Sequence, residues 1–366
     1  MTKQIKKIGV LTSGGDAPGM NAVIRAVTRR AIDAGLEVVA IYGGYSGLIH
    51  DKMEPFTSRS VANIITCGGT VLYSDRCVEF KTEEGMQRAV DVCKKNGIDA
   101  IVAIGGDGTF RGATDLTMRG IPAVGVPGTI DNDITATDYT IGFDTAMNTS
   151  LNAIDRLRNT CESHARCNII ELMGRHCGEI ALETAIAGGA VACAIPEIPF
   201  DNEACIERIK FLKANGKRGM IVVVSEGVLE KDGVPYGEAL AEEIEALAEE
   251  IEARTGVNCR FVRLAHVVRG GDPTLRDRST ASKMGAAAVD LLLEGKSNRV
   301  ICEVNGEITS MDIGFALITD RMYKNKLKDG DLDAFTPEQV KEMEAICEKR
   351  RTDVEKRYEL INALAN

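Results

Sequence analysis

The chain has no apolar run approaching the roughly 20 residues that a membrane-crossing helix needs. Its first residues, MTKQIKKIGVLTSGG, reach glycine after a few apolar positions, so a secretory leader is not expected. There is no CxxC pair, histidine occurs only four times, and the eleven cysteines stand singly, which fits neither a disulfide framework nor a zinc site. Reduced, mostly buried thiols are expected instead. Positive charge is in deficit: 44 Lys and Arg face 54 Asp and Glu, a net charge of −10 that argues against nucleic acid as a partner. A small phosphorylated ligand stays open, because charges beyond a Debye length of about 8 Å are screened and a few arginines can dominate a site. Together these absences point to a cytoplasmic protein with small-molecule ligands.

What is present suits an enzyme-sized α/β protein. With 366 residues and 44% hydrophobic content, the chain can build two substantial cores. Short Val- and Ile-rich runs (KKIGVLTS, LEVVAIYGG, DAIVAIGG, IPAVGVP, CNIIELMG, MIVVVSEG, CRFVRLAH, RVICEVNG) mostly end at Gly, Ser or Pro. Helical patterns such as MNAVIRAVTRRAIDAG and EEGMQRAVDVCKKNG lie between them, with glycine where a helix C-terminus is capped. Continuous apolar strands separated by helices predict parallel sheets covered on both faces, with ligands at the carboxyl ends of the strands.

Four loops at such ends stand out. TSGGDAPGMN (12–21) puts Gly14 and Gly15 before a helix, where backbone N–H groups can approach an anion; tight packing would use the same glycines. In GGDGTF (105–110) Asp107 can hold magnesium through water while Gly108 and Thr109 lie along phosphate oxygens, or it can N-cap the following helix. PGTIDND (127–133) sets Asp131 and Asp133 two residues apart in a segment expected to be loop, where an Asx-turn pair could simply close it. MGRHCGE (173–179) presents an arginine between glycines at a strand end.

The ordered set SGGDAPGMN, GGDGT, PGTIDND, YTIGFDTA, AIDRLR, MGR and HVVRGG resembles ATP-dependent 6-phosphofructokinase of the bacterial type, from about residue 6 to 320. The resemblance implies two Rossmann-like three-layer α/β lobes with mainly parallel sheets, plus a C-terminal helical extension. Residues 1–141 with about 267–318 would bind ATP, 142–266 joined by about 319–335 would bind sugar phosphate, and 336–366 would form the extension. It implies a glycolytic kinase that phosphorylates the 1-hydroxyl of fructose 6-phosphate with ATP and Mg2+, as a homotetramer with active sites shared between subunits. Asp131 would be the general base, with Thr129 and Asp133 beside it, and Arg76 and Arg175 would face the transferring phosphoryl group. Gly15, Arg76, Cys77, Gly106, Asp107, Gly108 and Thr109 would contact ATP and magnesium, with Asp107 on the metal. Thr129, Ile130, Asp131, Met173, Gly174, Arg175, Glu226, His266, Val267, Val268 and Arg269 would hold the substrate, with Arg166 and Arg260 reaching from the neighbouring subunit. Taken singly, each arginine is as readily a solvated surface charge.

Gly108 and Gly128 bear on the phosphoryl donor: pyrophosphate-using relatives typically carry Asp and Lys there, so ATP is expected. Cys77 stands where an aromatic often faces adenine. An effector site is implied by Arg25, Arg29, Arg158, Lys217 and Arg218, yet Val191 and Asn215 replace an acidic and a basic residue and Ser58, beside Arg59, replaces an arginine, so weakened or altered control by ADP and phosphoenolpyruvate is expected. Two segments exceed the short bacterial pattern. In 230–256, Leu240, Ile244, Leu247 and Ile251 form an apolar helical stripe suited to core packing. The second begins with Thr336, Pro337 and Gln339 as N-cap, first helical residue and capping-box partner, with Phe335 and Val340 as a staple. Other readings are a pyrophosphate-dependent or mixed-donor phosphofructokinase, a related kinase acting on NAD or another sugar phosphate, and a non-catalytic nucleotide or sugar sensor.

Overall fold

The computed structural model describes residues 5–229 and 238–365, with side chains described up to 228 and from 245. Residues 230–237 and the side chains of Leu240 and Ile244 therefore lie outside the described residues. In chain order the strands are β1 (Lys7–Thr12), β2 (Glu37–Ile41), β3 (Met53–Phe56), β4 (Ala100–Gly105), β5 (Ala123–Pro127), β6 (Cys167–Leu172), β7 (Ala192–Ala194), β8 (Met220–Ser225), β9 (Cys259–Arg263), β10 (Arg299–Val304) and β11 (Glu307–Asp312). No helix among the described residues is long and apolar enough to cross a membrane.

The chain divides into two compact units. One comprises Met1–Ile130, Ile134–Thr145 and Arg269–Glu348, the other Asp131–Asp133, Ala146–Val268 and Lys349–Asn366. Residues 319–335 thus fall in the first unit, whereas the sequence reading joined them to 142–266, and the helix Pro337–Leu364 is divided between the units after Glu348.

The first unit holds a seven-stranded sheet in the order β11-β10-β5-β4-β1-β2-β3. Its central pairs, β1 with β2 and β4, and β5 with β4 and β10, are parallel, while β3 and β11 join antiparallel at the two edges. Every residue of β4 and β5 is buried, as a strand covered on both faces requires. Each fully buried Ile or Val there is worth about 1.5–3 kcal/mol relative to exposure. The helices Met20–Asp33 and Glu83–Lys95 end as the sequence predicts, with Gly35 at φ +77 and Gly97 at φ +65 immediately beyond their C-caps. A core built on Leu11, Ile41, Tyr45, Phe80, Ile101 and Phe110 underlies the strand ends. Tyr45 stacks on Phe80 with ring centroids 4.2 Å apart and sends its hydroxyl 2.6 Å to the carbonyl of Thr109, so the core reaches directly into the GGDGTF loop.

The second unit has a four-stranded, wholly parallel sheet in the order β7-β8-β6-β9. β6 and β8 are buried along their full length, over a core that includes Ile169, Val191, Ile206, Ile209, Val222 and Ile251. Ile251 is buried and Leu247 packs against the same core, as their stripe predicts. The helix Pro337–Leu364 opens with the expected reciprocal cap: Gln339 donates its backbone N–H to the Thr336 hydroxyl at 3.3 Å, and Thr336 donates its own to Gln339 Oε1 at 2.9 Å. Met343, Cys347, Val354, Ile361 and Ala365 are buried along it, so this is a packed helix and not a solvated one.

Candidate active site

In the first unit three strand ends meet. Ser13, after β1, bonds back to β4 through its N–H and the Ile104 carbonyl at 3.0 Å, and Gly128, after β5, donates to the Gly105 carbonyl at 3.0 Å. Thr109 is buried and its hydroxyl donates to the Ser13 carbonyl at 3.0 Å. At Gly105 a Cβ would fall 2.3 Å from both the Ser13 carbonyl oxygen and the Thr109 hydroxyl, so only glycine lets these loops close. Gly14 takes φ +89, Ser74 donates its hydroxyl to the Gly14 carbonyl, and the Arg269 guanidinium lies against Gly15 while donating to the Asp16 carbonyl at 3.1 Å. Gly15, Gly106, Asp107, Gly108, Thr109 and Arg269 are thereby gathered at one end of the sheet.

Asp107 does not cap its helix. Gly106 occupies the cap position of Asp107–Met118 with no side-chain bond, and the Asp107 carboxylate, in the first turn, lies 3.3 Å from Arg111. A Cβ at Gly106 or Gly108 would meet nothing within 4 Å, so there is open space beside both residues. At Gly128, by contrast, a Cβ would come within 3.1 Å of Ile104 and 3.2 Å of Met20, leaving little room for a longer side chain. Arg76 is exposed, and Cys77 is half-buried against the core. Thr129 is half-buried with its carbonyl held by the Thr140 hydroxyl at 2.7 Å, and Ile130 is fully buried.

In the second unit the carboxyl ends of β6 and β8 form the other half of the predicted set. Met173 and Gly174 are buried and Arg175 is exposed, in a turn with Gly174 at φ +149 and Arg175 at φ +54. Glu226, the residue after β8, accepts from the backbone N–H groups of Gly174 at 3.2 Å and Arg175 at 2.7 Å. The Glu226 carboxylate therefore fixes the turn that presents the Arg175 side chain. His266 and Val267 are exposed in the short helical turn Ala265–Arg269, and Val268 is buried. Asp131 is only 3% exposed, Asp133 is half-buried, and Asn132 between them takes φ +49.

Arg166 and Arg260 are not brought to this end. Arg166 precedes β6, and Arg260 pairs in register with Asn168 near the opposite end of the sheet, four residues or roughly 13 Å before Leu172. The effector candidates are drawn from both units, Arg25 and Arg29 from the first and Arg158, Lys217 and Arg218 from the second. Arg158 donates to the carbonyls of Gly188 and Gly189, and Arg218 donates to that of Glu162 at 3.2 Å. Lys217, Arg29 and Arg59 are exposed, as is Ser58, and Arg25 is half-buried. Val191 is 1% exposed inside the apolar core, where it can offer nothing to a cation, and Asn215 turns back on the Phe211 carbonyl at 2.8 Å.

Several charged residues around these loops were not singled out from sequence. Asp277 is fully buried in the first unit and accepts from the hydroxyls of Tyr139 and Thr145 and from the backbone N–H groups of Gly142 and Thr145, locking the YTIGFDTA segment; burial pushes its carboxyl upward. Glu171, buried on β6, pairs with Arg263 at 2.8 Å, and burial again raises its carboxyl. Glu179, beyond the MGR turn, is held by Arg357 at 2.7 Å and lies 3.8 Å from Arg350; burial raises its carboxyl, but the two arginines outweigh burial and leave it below the ordinary range. Residue types alone could not have flagged these groups, since each partner lies far away in sequence. All eleven cysteines are free and nine are buried, as expected.

Residues 7–292 match the family model for phosphofructokinase. ATP-dependent 6-phosphofructokinase 1 of Clostridium perfringens is 50% identical over 324 residues, covering 88% of this chain and 97% of the relative. The ATP-dependent 6-phosphofructokinase of Bacillus subtilis is 50% identical over 309 residues, 84% of this chain and 93% of the relative. Among solved structures, Pichia pastoris phosphofructokinase in the T-state superposes with a TM-score of 0.82 at 31% identity, over 99% of this chain but 39% of that longer one. The pyrophosphate-dependent phosphofructokinase of Marinobacter aquaeolei shares the fold, with a TM-score of 0.72 at 24% identity over 84% of this chain and 83% of that one. Since the family match spans most of the chain and relatives at half identity align over nearly their whole length, the chain belongs to the phosphofructokinase family.

Proposed function

We propose that the chain transfers the γ-phosphoryl group of ATP to the 1-hydroxyl of fructose 6-phosphate, giving fructose 1,6-bisphosphate and ADP. The observation that carries this reading is 50% identity, over most of the chain, with proteins named ATP-dependent 6-phosphofructokinase. The matched segment 7–292 takes in every candidate site residue from Gly15 to Arg269.

Phosphoryl transfer asks the protein mainly for alignment and stabilisation of charge. Asp131 takes the proton of the 1-hydroxyl as it attacks, with Thr129 and Asp133 beside it. The backbone of Gly106, Gly108 and Thr109 lies along the nucleotide phosphates, and Arg76 and Arg175 neutralise charge on the moving phosphoryl. Met173, Gly174, Glu226, His266 and Arg269 hold the sugar phosphate. Asp107 suits Mg2+, which characteristically takes one or two carboxylates and completes its shell with phosphate oxygens and water. Among the described residues no cluster of three or more His, Cys, Asp or Glu could cage a metal, so Asp107 would hold it with the substrate's own oxygens. When bound, the ion would offset phosphate charge.

ATP rather than pyrophosphate is the donor because the open space over Gly108 leaves room along the phosphate chain. Arg166 and Arg260, at the far end of their sheet, serve a neighbouring subunit's site in a homotetramer. A coupled assay with fructose 6-phosphate, Mg2+ and either donor tests the whole reading. Turnover is expected with ATP and not with pyrophosphate, and Asp131→Asn is expected to lower kcat by roughly 10²–10⁴-fold. Comparable rates with pyrophosphate would remove the donor assignment; an unimpaired Asp131→Asn would remove the base.

A further inference from the structure

The C-terminal helix brings a cation to the loop that carries Asp131. Arg350, whose side chain is only 12% exposed, donates through its guanidinium to the backbone carbonyl of Asn132, the residue between Asp131 and Asp133. The Cys177 thiol bonds the same carbonyl at 3.7 Å and lies 4.0 Å from the guanidinium. The guanidinium is also 3.8 Å from buried Glu179, which Arg357, two helical turns further on, grips with both its terminal nitrogens at 2.7 and 2.9 Å. Arg357 reaches Glu183 as well, at 2.7 Å. One helix therefore fastens to the segment following MGR through two arginines, and the first of them reaches on to the IDND loop.

Asn132 is in the left-handed region at φ +49, a conformation that asparagine tolerates but that only its surroundings can select. A charge-assisted bond to its carbonyl fixes the peptide plane that follows it, and with it the direction in which the loop presents Asp131. We propose that Arg350 is a positioning residue for the phosphoryl transfer: by holding the Asn132 carbonyl it sets the aim of the Asp131 carboxylate, and it makes the C-terminal helix part of the catalytic apparatus. Arg350 lies beyond residue 292, where the family match ends. The inference rests on the reading of Asp131 as base.

The experiment compares steady-state turnover of fructose 6-phosphate with ATP and Mg2+ for the intact chain and its Asp131→Asn, Arg350→Met, Arg350→Lys and Arg357→Met variants. Displacing a catalytic group by about 1 Å can cost about 10²-fold, so Arg350→Met is expected to lower kcat by roughly 10- to 10²-fold with KM for ATP unmoved. Arg350→Lys, which keeps a charged donor, is expected to recover most of that loss. Arg357→Met loosens the same helix without touching Asn132, and is expected to lower the melting temperature while kcat stays near that of the parent. The proposal is overturned if Arg350→Met keeps kcat within about twofold of the parent, or if Arg357→Met loses as much kcat as Arg350→Met, because the loss would then follow helix docking and not the carbonyl bond. Should Arg350→Met not be recovered folded, Arg350→Gln stands in for it beside Arg350→Lys on the same criteria. An unimpaired Asp131→Asn removes the underlying reading; an impaired Asp131→Asn beside an unimpaired Arg350→Met removes this inference alone.

Discussion

Asp277 gathers four donors from Tyr139, Gly142 and Thr145 on two buried carboxylate oxygens. Replacing it with alanine strands hydroxyl and amide groups away from water, each costing about 1–3 kcal/mol when unsatisfied. Asp277→Ala is therefore expected to destabilise the protein by about 3 kcal/mol or more, with Asp277→Asn, which keeps one acceptor oxygen, in between. Chemical denaturation checks this, and midpoints unchanged in both variants would contradict it. The sequence showed YTIGFDTA as a motif but not its anchor, because Asp277 is separated from Thr145 by 132 positions and carries no local pattern. Glu226 was legible as a candidate, yet its grip on the backbone of Gly174 and Arg175 was not, since that bond depends on the register of β6 beside β8. Asp107 shows the reverse case. Its position after two glycines left an N-cap possible, and only the placement of Gly106 at the cap excludes it.

Elements were legible where their burial is uniform. β1, β2, β4, β5, β6, β8 and β10 lie within Val- and Ile-rich runs read as strands, because such runs admit little else at that length; β9, Cys-Arg-Phe-Val-Arg, also lies within a run read as a strand although it is mostly not buried. β3, β7 and β11 were missed. β3 is Met-Glu-Pro-Phe, half of it exposed at a sheet edge, and β11 is polar and partly exposed on the other edge, so neither carries an apolar pattern; β7, Ala-Cys-Ala, is apolar and buried but three residues are too few to show one. The C-terminal helix was legible from its cap, but its docking on Glu179 was not. That docking has a pH signature. Although burial alone raises the Glu179 carboxyl, Arg357 and Arg350 bring it below its ordinary range, so its contribution to stability is present above the unfolded value of about 4.3 and is lost as pH falls through the lower folded value. Removing one partner of a buried pair costs about 3–5 kcal/mol. Glu179→Gln is thus expected to be less stable than the parent at neutral pH, with the gap narrowing as pH drops below about 4. A gap that stays constant between neutral and acidic pH would show that the ion pair is not what ties the helix down.

At the scale of the molecule, the order of the motifs along the chain told more than any one motif, because the residues of each unit are drawn from separated segments. Asp131–Asp133 cluster with 146–268 although they directly follow Ile130 of the other unit, and Arg269 clusters with the first unit one residue after Val268 in the second. A reading by contiguous lobes cannot see such exchanges. It also cannot tell which candidate residues serve the same site: the backbone of Arg166 and Arg260 stands roughly 13 Å or more along the sheet from the turn of Met173, Gly174 and Arg175, so a role for these arginines in a neighbour's site is a question for experiment. If a homotetramer completes each site with a neighbour's Arg260, two defective chains can repair one another. Asp131→Asn and Arg260→Ala are each expected to be nearly inactive alone. Co-expressed in equal amounts and purified as mixed oligomers, they should regain about one site in four, since a complete site needs its base from an Arg260→Ala chain and its arginine from an Asp131→Asn chain. Activity of the mixed oligomers no higher than that of the separate variants would mean that Arg260 acts on its own subunit or on none, and the shared site would have to be given up.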